Sequence, residues 1–233
     1  MKTKGFTLAE VLLTLAIIGV VAALTIPAIV TKATKNQYVV GLRKAYNTLK
    51  AVEREAKEEH GEIENWNWSG NLSVTFNTYF KPYFDILKDC GADTDDGCFP
   101  GKNEWKALNG TVQTSTINSK TYYRIITSDG IAYAFWKSSA TKIASPARMG
   151  TFIVDVNGKK GPNMIGRDIF GFNLFPSKGI KPYGTLDPEN DTPIATSIVK
   201  GPANTQSCNT KCAGANCGWY CPARILAEGA MNY

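Results

Sequence analysis

Histidine is nearly absent: one residue, His60, in 233. That scarcity excludes paired imidazoles and His-rich metal nests. The chain has no G-x-S-x-G elbow and no H-E-x-x-H helix, so the common serine-hydrolase and zinc-protease signatures are missing. Cysteines two residues apart, the usual zinc-knuckle spacing, are missing as well. Charged residues are only 20% against 43% hydrophobic, a balance that excludes wholesale disorder and a polytopic membrane protein. His60 closes a charged turn beside Glu58 and Glu59, where a solvated helix-terminal imidazole is a simpler reading than a catalytic base.

Against these absences stands one long apolar run. Residues 6–30, FTLAEVLLTLAIIGVVAALTIPAIV, hold a single ionisable side chain, Glu10. As a helix the run is about 38 Å long at roughly 1.5 Å per residue, enough for a hydrocarbon core of about 30 Å. Lys2 and Lys4 precede it and favour a cytoplasmic N-terminus; Lys32 and Lys35 follow and weaken that asymmetry. A cleaved secretory signal and a plain anchor both fit the apolarity. Neither accounts for an acid near the start of the run, where an uncompensated carboxylate needs a partner.

The stretch Lys4-Gly5-Phe6-Thr7-Leu8-Ala9-Glu10, followed at once by the apolar run, resembles the class III signal of type IV pilins and pseudopilins. In that superfamily a membrane peptidase cuts after the glycine and methylates the new amine. The resemblance implies cleavage between Gly5 and Phe6, N-methylation of Phe6, and an assembly role for Glu10. Cutting ahead of the run keeps it attached and leaves a cationic amine at the edge of an apolar rod. Among packed helices, the Glu10 carboxylate of one subunit can pair with the Phe6 amine of the next. Breaking such a buried pair costs roughly 3–5 kcal/mol. Compensation of the helix dipole is the simpler role for Glu10, and the two are compatible.

Helical periodicity continues past Val30. Val39, Leu42, Ala45, Tyr46, Leu49, Val52 and Ala56 recur at three- and four-residue spacing, with Lys and Arg on the other face. One helix is therefore predicted from about 6 to 60, kinked near Pro27 and stopped at Gly61. A second is predicted over 72–88, interrupted at Pro82. Strands are predicted at 121–127, 131–137, 151–156 and 169–175, the first two joined by the turn Ser128-Asp129-Gly130. Trp66, Trp68 and Trp105 read as packing or surface aromatics, with a ligand platform as the lesser alternative. The expected fold class is α+β: a long N-terminal helix against an antiparallel sheet, as the resemblance also implies. The expected division is a leader over 1–5, a transmembrane and assembly helix over 6–30, the amphipathic half of that helix over 31–61, and an extracytoplasmic head over 62–233.

Six cysteines allow 15 full pairings. An extracytoplasmic head favours disulfides over zinc. Proximity favours Cys90–Cys98. The C-x3-C-x4-C-x3-C run favours the nested pairs Cys208–Cys221 and Cys212–Cys217. Asp155, Asn157, Asn163 and Asp168 are the densest set of oxygen ligands and suit calcium, though not with EF-hand spacing; Asn-Gly and Gly-Pro-Asn are also ordinary turn chemistry. The resemblance favours calcium here, since several pseudopilins carry a calcium-binding loop in this part of the fold. The acidic loop around Asp93, Asp95 and Asp96 is a weaker calcium candidate. Residues 141–181 hold seven basic side chains and two acidic ones, but no nucleic-acid motif. A solvated face or a subunit contact is the simpler reading. The resemblance implies a non-enzymatic, single-pass protein of the bacterial inner membrane that enters a filament. Its partners would be like subunits and other pilins or pseudopilins, the prepilin peptidase and the inner-membrane assembly platform. The alternative role is a DNA- or surface-binding minor pilin.

Overall fold

The computed structural model describes residues 5, 7–92, 97–115, 117–138, 148–187 and 192–233. Lys2, Lys4, Phe6, Asp93, Asp95, Asp96 and Lys142 lie outside the described residues. The chain falls into two compact units, residues 1–37 and 38–233.

In the first unit the described structure is the N-terminal part of α1 (Leu8–His60), with Pro27 inside the helix. Thirteen large apolar side chains between Leu8 and Val30 are exposed, Leu8 at 77% and Leu24 at 76%. Apolar on every side, this stretch is long and apolar enough to cross a membrane. Thr25, Thr31 and Thr34 each return their hydroxyl to the backbone carbonyl four residues earlier. Those bonds hide the polar groups and keep the surface apolar.

The second unit begins inside the same helix. From Tyr38 onward α1 is amphipathic, and Val39, Leu42, Ala45, Leu49, Val52 and Ala56 are buried. Six antiparallel strands in sequential order form one sheet: β1 (Ile86–Gly91), β2 (Tyr123–Thr127), β3 (Ala132–Lys137), β4 (Gly150–Asp155), β5 (Ile169–Phe175) and β6 (Gly179–Pro182). The register aligns Tyr123, Phe135, Phe152 and Phe172 across β2 to β5. Phe76 of α2 (Leu72–Tyr79) stacks on Tyr123 at 4.2 Å, and Tyr46 of α1 stacks on Phe172 at 5.6 Å. Period two puts these four rings on one face, and the two helices cover it.

The other face is largely covered too: every residue of β4 and β5 is buried. Residues 105–115, residues 117–122 and the C-terminal segment cover it. That segment carries two short helices, α3 (Thr196–Lys200) and α4 (Cys221–Glu228). Disulfides join Cys90 to Cys98, Cys208 to Cys221 and Cys212 to Cys217.

The helix expected over 72–88 is shorter. It ends at Tyr79, a 3₁₀ turn carries Pro82, and Ile86–Gly91 is strand β1. Proline fixes the backbone at that turn and has no N–H to continue a helix; the freed segment pairs with β2 as an edge strand with two register shifts. Strand β6 is an addition to the four strands expected. It is anchored by Glu53 of α1, a buried carboxylate that accepts from Ile180 N at 2.9 Å and from Lys50 Nζ at 2.6 Å. Gly179, at φ 67°, lets Glu53 approach: a Cβ there would lie 1.8 Å from its oxygen.

Candidate functional site

Two places carry the chemistry singled out in the sequence: the start of α1 and the loop between β4 and β5.

At the helix start, Thr7 and Glu10 form a reciprocal capping box. Thr7 N and Thr7 Oγ1 each donate to Glu10 Oε2 at 2.8 Å, and Glu10 N donates to Thr7 Oγ1 at 3.3 Å. This is the T-x-x-E pattern that satisfies two orphan donors of a helix N-terminus. Sequence reading assigned Glu10 a charge role and overlooked its capping role, although the signal was in the four letters Thr7-Leu8-Ala9-Glu10. Gly5 immediately precedes the cut implied by the resemblance and is exposed.

The β4–β5 loop gathers Asp155, Asn157, Asn163 and Asp168. Asp155 is the last residue of β4 and Asp168 immediately precedes β5, so the sheet holds both ends. Both carboxylates are fully buried. Asp168 accepts from Asn163 N at 2.8 Å and from Met164 N at 2.6 Å, and the Asn157 side chain also reaches it. Asp155 Oδ1 accepts from Asn157 N at 3.2 Å. Burial first, then the neighbouring Asp168 charge, pushes the Asp155 carboxyl well above the ordinary carboxylate value; burial likewise raises Asp168.

Three further oxygens are buried without a hydrogen-bond partner: Asp155 Oδ2, Asn157 Oδ1 and Asn163 Oδ1. A buried acceptor left unpaired costs about 1–3 kcal/mol, and all three belong to this loop. Among the described residues no group of three or more His, Cys, Asp or Glu side chains is placed to hold a metal. The loop offers instead two carboxylates and two amide oxygens, an all-oxygen set that fits a hard cation. It does not suit zinc.

Trp66, Trp68 and His60 have structural roles. Trp66 and Trp68 are buried; their ring nitrogens donate to Gly61 O and Ile63 O, and Trp66 stacks on Tyr79 at 4.5 Å. His60 lies edge-on to Tyr79 at 5.0 Å and shares a hydrogen bond with Tyr83 Oη at 3.1 Å. It is therefore held among aromatic rings, and only in part by solvent. Sequence reasoning missed a cavity of about 480 Å³ lined by Arg148, Tyr183 and Trp219 among others. Its residues come from five separate stretches of chain, so no local pattern announces it.

Residues 1–26 match the family described as the prokaryotic N-terminal methylation motif. No curated protein and no solved structure matches the chain. The chain thus carries the prepilin-type signal of the type IV pilin and pseudopilin superfamily. The long N-terminal helix, the six-stranded antiparallel sheet and the disulfides make its architecture α+β and pilin-like. Pilins, which carry this signal, are generally structural and non-enzymatic.

Proposed function

We propose that this chain is a filament subunit of a type II secretion pseudopilus or a type IV pilus, stored in the bacterial inner membrane with its head outside the cytoplasm. The observation that carries this reading is the methylation motif over residues 1–26 running directly into a helix stretch that exposes apolar side chains on every side. Such a surface is unstable in water and calls for lipid or for other helices of the same kind. Prepilin peptidase cuts between Gly5 and Phe6 and methylates the Phe6 amine. The assembly platform then passes the apolar helix from lipid into a bundle of like subunits and other pilins. Glu10 sets axial register by pairing with a neighbour's Phe6 amine. The mass of the N-terminal peptide from membrane-purified protein tests this. A chain beginning at Phe6 and carrying one extra methyl is expected; a chain beginning near Thr31 or later removes the filament reading altogether.

A second role belongs to the β4–β5 loop, which we read as a calcium clasp. Asp155, Asn157, Asn163 and Asp168 would hold the ion. Bound calcium would neutralise two buried carboxylates and occupy oxygens that otherwise lack partners. It would thereby fasten the end of β4 to the start of β5. The expected result is a calcium-dependent rise in Tm, about 2–3 kcal/mol of added stability at 100 times the dissociation constant. Asp155→Asn abolishes the response, and magnesium reproduces little of it. Equal Tm values in calcium and in chelator would show the loop to be closed by turn chemistry alone.

A further inference from the structure

The cavity of about 480 Å³ lies on the sheet face turned away from α1, and its size is that of a small-ligand site. Its floor is Trp136 of β3 with Thr151 and Ile153 of β4. Tyr183, just beyond β6, closes one side with its ring against Gly171; a Cβ there would lie 2.8 Å from the ring. Trp105 and the C-terminal residues Gln206, Asn216 and Trp219 complete the wall.

Arg148 is the one charged side chain among the described residues lining it. Its guanidinium carbon is 5.2 Å from the Trp136 ring centroid. Its Nη1 reaches Asn173 Oδ1 and Tyr183 Oη, each at 3.4 Å. Both are long contacts to neutral atoms, so much of the guanidinium fork is left for an anion. No described carboxylate forms an ion pair with it. Within the described residues the side-chain amides of Gln206 and Asn216 make no hydrogen bond, nor do the ring nitrogens of Trp136 and Trp219. A purely apolar ligand would leave these groups unsatisfied. A phosphoryl group would bring nearly two charges to a single cation. A carboxylate brings one charge, in the planar geometry that a guanidinium matches.

The chemistry required is therefore a single carboxylate on a hydroxyl-rich ring with an apolar flank. We propose that this cavity binds an acidic sugar, a hexuronate unit. Arg148 takes the carboxylate, the part-exposed ring of Trp219, backed edge-on by the buried Trp105, takes the C–H flank, and Gln206 and Asn216 take the hydroxyls. Every described residue lining it falls within residues 105–219, so the site does not depend on whether the chain polymerises.

The test is tryptophan fluorescence of the full chain in detergent micelles, titrated with digalacturonate and, in parallel, with neutral digalactose. The expected result is a saturable change with digalacturonate and at least about tenfold weaker binding of the neutral sugar, the loss that removing one charge-assisted contact produces. Arg148→Gln weakens digalacturonate binding to the same degree while far-UV circular dichroism stays unchanged; if that variant fails to fold, the comparison of the two sugars on the native chain decides alone. Equal affinity for both sugars overturns the proposal, as does the lack of a saturable response to either, or tighter binding of benzoate than of digalacturonate. None of these outcomes touches the N-terminal mass on which the filament reading is tested.

Discussion

Asp129 shows how much one side chain settles at the residue scale. It belongs to the β2–β3 turn, where Thr127 Oγ1 donates to its Oδ1 at 2.5 Å and Ile131 N at 3.2 Å, and Lys44 of α1 pairs with its Oδ2 at 3.0 Å. Burial alone would raise this carboxyl. The bonds from Thr127, Lys44 and Ile131 outweigh burial and hold it below the ordinary value of 3.8. An acid whose pKa is lower in the folded chain contributes stability that is fully present above 3.8 and is lost as pH falls through the folded value. Asp129→Asn should therefore lower Tm at pH 7, and the gap to the parent chain should close as pH drops below about 4. Thermal melts across that window check it; a gap independent of pH would assign the effect to turn geometry alone. The turn was legible in the sequence as Ser128-Asp129-Gly130. The partner on α1 was not, because nothing local pairs residue 44 with residue 129.

At the scale of single elements, α1 joins two chemistries in one helix. Its first half is apolar all round, and its second half buries one stripe against aromatic rings of the sheet. The first half follows from an unbroken apolar run and the second from three- and four-residue periodicity, so the helix was read from the sequence nearly to its ends. Its first turn separates the two roles of Glu10. Glutamine at the third helical position still completes a capping box but cannot pair with an amine as a charge. If axial pairing governs assembly, Glu10→Gln and Glu10→Ala should both be processed normally and both be lost from filaments, in keeping with roughly 3–5 kcal/mol for a broken buried pair. If capping alone mattered, at about 0.5–2 kcal/mol, Glu10→Gln would assemble like the parent. Counting each variant in sheared filaments against its membrane pool separates these outcomes. Strand β1 teaches the opposite lesson. Residues 86–91 carry no clean alternation, and three of the six are exposed; only pairing with β2 makes them a strand. The β4–β5 loop stands between these cases. Its four oxygen-bearing residues were picked out by composition, whereas the orphaned Asp155 Oδ2, Asn157 Oδ1 and Asn163 Oδ1 became visible only once the strands had closed the loop.

On the scale of the whole molecule, the sequence by itself determined the membrane-competent helix, the peptidase signal and the central hairpin. Each is local, written in residues a turn or a pleat apart, and local periodicity dictates burial on one face. Only the tertiary structure decided that the second face of the sheet is covered. Buried residues at every position of β4 and β5 require a second layer, and residues 105–115 and 117–122 with the C-terminal segment supply it. Contacts such as Gln113 Nε2 with Ala215 O and Asn109 Nδ2 with Cys212 O at 3.0 Å join segments about a hundred positions apart. No periodicity encodes such pairs. Their partners are chosen by the shape left between the sheet and the C-terminal segment, and the same shape places Arg148, Trp136 and Trp219 around one cavity.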